Sequence, residues 1–272
     1  MRVGIDIGGT KMLLLARGTR GETIERVPTS ANFSPQQAED AIAHFAASLE
    51  EPIASLGIAV PGIVDADGTV IACDVLPAFT GWAPRSRMRE YGGVTVLNDT
   101  EAALQAEMAT GEPAGTVAVV MVGTGIGAAI GIDGRSLRRT SAYAGEMGSI
   151  PVGHRAGDTL DARASGAAIL RMAGMDAAEL TRRLAERDPR ALQTIRDAGS
   201  WLGFGLATVV HLFNPRRVVL GGGTLAWPGY VEAAVERAKE RTLPELWATC
   251  TVEQTRLGET VVAAGAANVA RF

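Results

Sequence analysis

Residues 3–17 read VGIDIGGTKMLLLAR. Val3 to Ile7 is a short apolar run, Gly8-Gly9-Thr10 is a turn signal, and Lys11 to Arg17 is a second apolar run. The stretch therefore predicts two strands joined by a glycine turn. Thr23 to Val27, beyond the Gly18 to Gly21 turn, predicts a third strand and an antiparallel meander. Residues 116–132, TVAVVMVGTGIGAAIGI, repeat the opening as strand, glycine-rich turn and strand, with a short piece near Leu137 as a third.

Working outward, Pro35 to Leu49 predicts a helix behind a Ser34 N-cap, with Ala38, Ile42, Phe45 and Leu49 on one face. Leu56 to Val60 and Val94 to Leu97 predict buried strands, Thr69 to Cys73 a short one, Pro84 to Glu90 a short helix and Asp99 to Met108 a longer one. In the second half, helices fill most of Ala164 to Leu212, with breaks near Gly174 and Asp188-Pro189. Val218 to Leu220 and Thr251 to Gln254 predict strands, Tyr230 to Glu240 and Val261 to Ala270 helices. Two β-hairpin starts, each followed by helix and parallel strand, predict two similar α/β domains, 1–112 and 113–272, whose glycine turns face one crevice. The last helix is placed to pack back on the first domain.

The 272 residues suffice for two cores, and a net charge of −4 implies no broad basic surface for nucleic acid. Of 26 basic residues only Lys11 and Lys239 are lysine, which singles out Lys11 inside a glycine turn. Cys73 and Cys250 form no CxxC pair, so a reducing cytoplasm is expected. No apolar run approaches the ~20 residues of a membrane span.

Asp6 to Lys11 leaves backbone N–H groups able to approach an anion, so the turn reads either as a phosphate nest or as a hairpin that needs glycine. No helix follows, which excludes a P-loop. Gly123-Thr124-Gly125-Ile126-Gly127 occupies the same place in the second half, and two such turns suit a clamp on a polyphosphate tail. Asp6 is a candidate to hold Mg²⁺ directly or through water. Gly221-Gly222-Gly223, after a strand, is either a nucleoside platform or a flexible connection. Asp99 is either a helix N-cap or a general base at a strand end. Glu146, in Ala144-Gly145-Glu146-Met147-Gly148, either accepts from sugar hydroxyls or is a solvated charge. His44, His154 and His211 are too scattered for a metal site, and His211 is expected in helix packing.

These segments resemble the ROK family of sugar kinases and sugar-responsive repressors, within the actin-like and hexokinase-like ATPases. The resemblance rests on DIGGTK at 6–11, GIAVPGIVD at 57–65, Asn98-Asp99, GTGIGA at 123–128, AGEMG at 144–148 and LFNPRRVVLGGG at 212–223. It implies two ribonuclease H-like α/β domains facing a central cleft, and an ATP- and Mg²⁺-dependent kinase of a hexose, amino sugar or related cyclic polyol, acting as a homodimer. Asp6, Gly8, Gly9, Thr10, Lys11, Gly123, Thr124 and Gly125 would hold phosphates, Gly221, Gly222 and Gly223 lie near the nucleoside, and Asp99 be the base. Gly62, Asn98 and Glu146 would line the sugar pocket. No helix-turn-helix module of the repressor branch precedes the first strand, and the intact Asp99 and two intact phosphate turns favour an enzyme over a silent sugar sensor. Polyphosphate is the alternative donor. The family's zinc-binding CxCGxxGCxE segment has no counterpart here. Ser149 stands where the preceding histidine would be, and Asp161 is the candidate to replace the motif's final sugar-binding glutamate. No zinc is expected.

Overall fold

The computed structural model describes residues 1–110, 114–137 and 144–270. β1 (Arg2–Ile7), β2 (Lys11–Gly18) and β3 (Gly21–Pro28) form the meander, followed by α1 (Pro35–Ser48). β4 (Ser55–Val60), the small strands β5 (Ile63–Val64) and β6 (Val70–Ala72), α2 (Pro84–Arg87), β7 (Gly93–Asn98) and α3 (Asp99–Thr110) follow. The second half holds β8 (Thr116–Val122), β9 (Ile126–Ile132), β10 (Arg135–Ser136), α4 (Leu160–Ala164), α5 (Gly166–Ala173), α6 (Ala177–Ala185) and α7 (Pro189–Phe213). It continues through β11 (Arg217–Gly221), α8 (Tyr230–Arg241), α9 (Pro244–Trp247) and β12 (Thr251–Gln254) to α10 (Val261–Val269).

The described residues of Met1–Pro113, Ser136–Ala144 and Glu259–Phe272 form one compact unit, and those of Ala114–Arg135 and Gly145–Gly258 the other. The first unit's sheet has the order β3-β2-β1-β4-β7 and the second's β10-β9-β8-β11-β12. In each, the first strand is antiparallel to the second and parallel to the fourth. The duplication read in the sequence is thus a duplication of topology.

β2 is apolar from Met12 to Ala16 because both faces of its sheet are covered. Val3, Ile5, Met12 and Leu14 pack with Ile42 and Phe45 of α1. The α1 start is a capping box: the Ser34 hydroxyl accepts from the Gln37 amide at 3.3 Å while the Gln37 side chain accepts from the Ser34 amide at 2.9 Å. On the opposite face α10 lies against β1 and β4 at glycine positions. A Cβ at Gly4 would stand 1.9 Å from the Ala263 carbonyl oxygen, and one at Gly57 1.9 Å from that of Ala266. In the second unit Val120, Val122 and Ile130 pack with Ile195, Leu202 and Leu206 of α7.

Several expectations shift. The short strand expected at Thr69 to Cys73 pairs with β5, a hairpin closed by the Asp65 carboxylate, which accepts from the amides of Asp67 (3.0 Å) and Thr69 (2.8 Å). The strand after the second glycine turn starts at Ile126, inside the stretch read as turn, and the short helix at Pro84 to Glu90 is α2 plus a 3-10 turn, Arg89–Tyr91. His211 is exposed and not in packing: its Nε2 accepts from the Leu243 amide at 3.3 Å, at the C-terminal end of α7.

Candidate active site

The first glycine turn closes the β1–β2 hairpin. The Gly8 amide donates to the Lys11 carbonyl at 2.9 Å. Thr29 props the turn from β3's far end, its hydroxyl donating to the Gly8 carbonyl at 2.6 Å and its amide to that of Thr10 at 3.1 Å. The carbonyls are thereby pinned, and among the described residues the Gly9 and Thr10 amides meet no protein acceptor. Two such N–H groups in one turn are what an anion nest requires. Lys11 forms an ion pair with Glu259, which also accepts from Arg26 Nε at 3.0 Å. Hydrogen bonds from Arg26 and Lys11 pull the Glu259 carboxyl down to about 2.

At the carboxyl end of β7, sequence allowed Asp99 to be the cap of α3, but the structure gives that work to its neighbour. Asn98 Oδ1 accepts from the amides of Thr100 (2.9 Å) and Glu101 (3.4 Å), and its Nδ2 donates to the Gly62 carbonyl at 3.0 Å. Gly62 and Asn98 are thus joined directly. Asp99 Oδ1 accepts from the amide of Thr100 at 2.7 Å and its hydroxyl at 3.2 Å, and Thr100 is itself buried. Asp6, at the end of β1, has its carboxyl pushed up to about 7 by burial first and by the Asp99 charge second, with Lys11 opposing. Two carboxylates therefore share this end of the first sheet.

The second glycine turn is held more tightly. Gly123 donates to the Gly125 carbonyl at 2.9 Å, while the Gly123 carbonyl accepts from the Gly166 amide (2.8 Å) and the Thr224 hydroxyl (3.2 Å). The Thr124 carbonyl accepts from the Ala167 amide at 3.3 Å, so the N-terminus of α5 backs the turn. Among the described residues the Thr124 and Gly125 amides, like those of Gly9 and Thr10, meet no protein acceptor. Thr224 also brings the turn beside Gly221, Gly222 and Gly223, at the end of β11, where Gly222 takes a φ of +103°.

Glu146 is exposed and starts the 3-10 turn Met147–Ser149, its carbonyl accepting from the Ser149 amide at 3.1 Å. Ser149 is exposed too. Asp161, the candidate to replace the motif's sugar-binding glutamate, has its Oδ1 2.7 Å from the Ile126 amide, and burial raises its carboxyl against the effect of that hydrogen bond. Among the described residues no three His, Cys, Asp or Glu side chains gather to hold a metal ion.

Sequence reasoning missed Thr29, Thr224 and Glu259. Only Thr224, directly after three glycines, carried a local signal. The partners of Thr224 and Glu259 lie 101 and 248 positions away.

A model described as the ROK family matches residues 2–271. A kanosamine kinase of Amycolatopsis mediterranei is 30% identical over 248 residues, covering 82% of this chain and 80% of its own. The solved ROK hexokinase of Thermus thermophilus is 31% identical, with a TM-score of 0.81 over 99% of this chain and 97% of its own. A ROK family glucokinase from Streptomyces griseus, solved with glucose and AMPPNP, has a TM-score of 0.84 at 24% identity over 99% of both chains, a likeness of fold.

Proposed function

This chain belongs to the ROK family, and from that premise we propose that it moves the γ-phosphoryl group of ATP onto a hydroxyl of a hexose, amino sugar or related cyclic polyol. The observation that carries the reading is the division of labour after β7. Asn98 caps α3 and ties down the Gly62 loop, while Thr100 orients the neighbouring Asp99 carboxylate at a strand's carboxyl end, where ligands gather in α/β folds. Asp99 takes the proton of the acceptor hydroxyl as its oxygen attacks phosphorus. The rest is positioning and electrostatic support, for which the donors are the Gly9 and Thr10 amides in the first unit and the Thr124 and Gly125 amides in the second. Lys11 Nζ, held by Glu259, has further N–H donors for a phosphate.

Mg²⁺ suits Asp6, since a half-buried carboxyl beside Asp99 gains from a cation and Mg²⁺ binds through one or two carboxylates while keeping waters. When bound it neutralises charge on the β- and γ-phosphates. The relatives named above are sugar kinases, including one for kanosamine, an amino sugar, and this supports the acceptor class.

Asp99→Asn should lower turnover by roughly 10²–10⁴-fold, the usual scale for loss of a general base, with ATP affinity nearly unchanged. A coupled ADP-release assay over sugars, amino sugars and cyclitols reads this directly. Near-normal turnover in a folded variant removes Asp99 from the role. Zinc plays no part in this reading, and chelator-washed protein should contain far less than one zinc per chain by elemental analysis.

A further inference from the structure

Asp161 lies in the first turn of α4, and its carboxylate reaches 35 positions back to the Ile126 amide at 2.7 Å. Ile126 is the first residue of β9 and directly follows Thr124 and Gly125, the two donors proposed for phosphate. The carboxylate is fitted closely into this place. A Cβ on Gly125 would stand 3.6 Å from it, whereas a Cβ on Gly148 would stand 2.4 Å from the carboxyl carbon and from both oxygens. Glycine at 148 therefore leaves room for Asp161 to reach the turn.

The backbone of the same residue serves the other end of the turn. The Asp161 carbonyl accepts from the Ser165 hydroxyl at 2.8 Å, and Ser165 accepts in turn from the Ala168 amide at 3.2 Å, capping α5. The first two amides of α5, Gly166 and Ala167, hold the Gly123 and Thr124 carbonyls. One short segment thus fixes the turn on both sides of its two open amides.

We propose that Asp161 is a positioning residue for the nucleotide phosphates, holding Ile126 so that Thr124 and Gly125 present their amides. The inference rests on the kinase reading above. A carbonyl oxygen accepts from Ile126 as a carboxylate oxygen does, so Asp161→Asn should keep the turn in place, whereas Asp161→Ala and Asp161→Ser, which cannot span the gap, should not. The loss of one charge-assisted hydrogen bond predicts a KM for ATP about tenfold higher in the Ala and Ser variants. In Asp161→Asn the KM for ATP stays within about threefold of the wild type.

The test compares KM for ATP with KM for glucose or kanosamine, whichever the wild type phosphorylates faster, alongside direct binding of AMPPNP and hydrogen exchange across residues 123–127. The expected result is weaker ATP and AMPPNP binding and faster exchange in Asp161→Ala and Asp161→Ser, with the acceptor KM within twofold throughout. A tenfold rise in acceptor KM in Asp161→Asn, with ATP unaffected, overturns the assignment in favour of a sugar contact. Unchanged exchange and AMPPNP binding in all three variants also overturns it. A wild type that binds no AMPPNP sinks the kinase reading and this inference with it, even where exchange at 123–127 still answers to Asp161.

Discussion

At Asp6 the folded protein holds a carboxyl whose ordinary value of 3.8 is raised to about 7. The folded state therefore binds a proton that the unfolded chain has released. The stability linked to that proton is full below 3.8 and is lost as pH rises through about 7. Asp6→Asn cannot ionise, so in EDTA its Tm should gain on the wild type between pH 4 and pH 7. Parallel Tm curves over that range would mean that Asp6 titrates normally. Asn98→Ala removes a helix cap and the partner of the Gly62 carbonyl together, and should cost about 1–3 kcal/mol in urea unfolding. The candidate base and turn residues were legible because polar groups interrupting apolar runs are conspicuous. The bond from Asp161 to Ile126 was not, since nothing local marks a partner 35 residues distant.

Among the elements, long strands and capped helices announced themselves, Ser34 and Gln37 through their own capping box. β5 and β10 have two residues each, too few to show any period, and they exist because a neighbour pairs with them. α10 was expected from the sequence to pack back on the first domain, and it lies in the first unit, but the sequence did not show what it packs against. Its composition, alanine, valine and glycine apart from Asn268, makes sense once Gly4 and Gly57 are seen beneath it, letting helix and sheet backbones touch. Gly57→Ala forces a methyl against the Ala266 carbonyl and should destabilise the first unit by about 1–3 kcal/mol, at the upper end because backbone must move. Urea midpoints followed by the first unit's own Trp82 check this, and an unchanged midpoint would show that α10 lifts off freely.

Over the whole molecule, the same five-strand order occurs twice, and each copy contributes one glycine turn with two open amides. The acceptor side is less symmetric. On the proposed reading, with Asp161 engaged by Ile126 and Ser149 carrying no imidazole, the sugar would lose polar partners that the family motif implies, and an unmatched buried polar group is worth about 1–3 kcal/mol. An amino hexose or cyclitol should accordingly exceed glucose and N-acetylmannosamine in kcat/KM. A tenfold preference for either of the latter under the same conditions refutes that ordering. The homodimer expected of the family would elute at twice the 28.3 kDa chain mass in light scattering.

The packing of α10 onto β1 also sets an order of events during synthesis. The strands that open the sequence leave the ribosome first, yet the helix that covers one face of their sheet is made some 250 residues later, roughly 10–50 s at ordinary elongation rates. Through that interval the nascent first unit carries bare apolar sheet and becomes a client for chaperones, while the second unit, whose strands and helices all precede Glu259, is free to fold ahead of it.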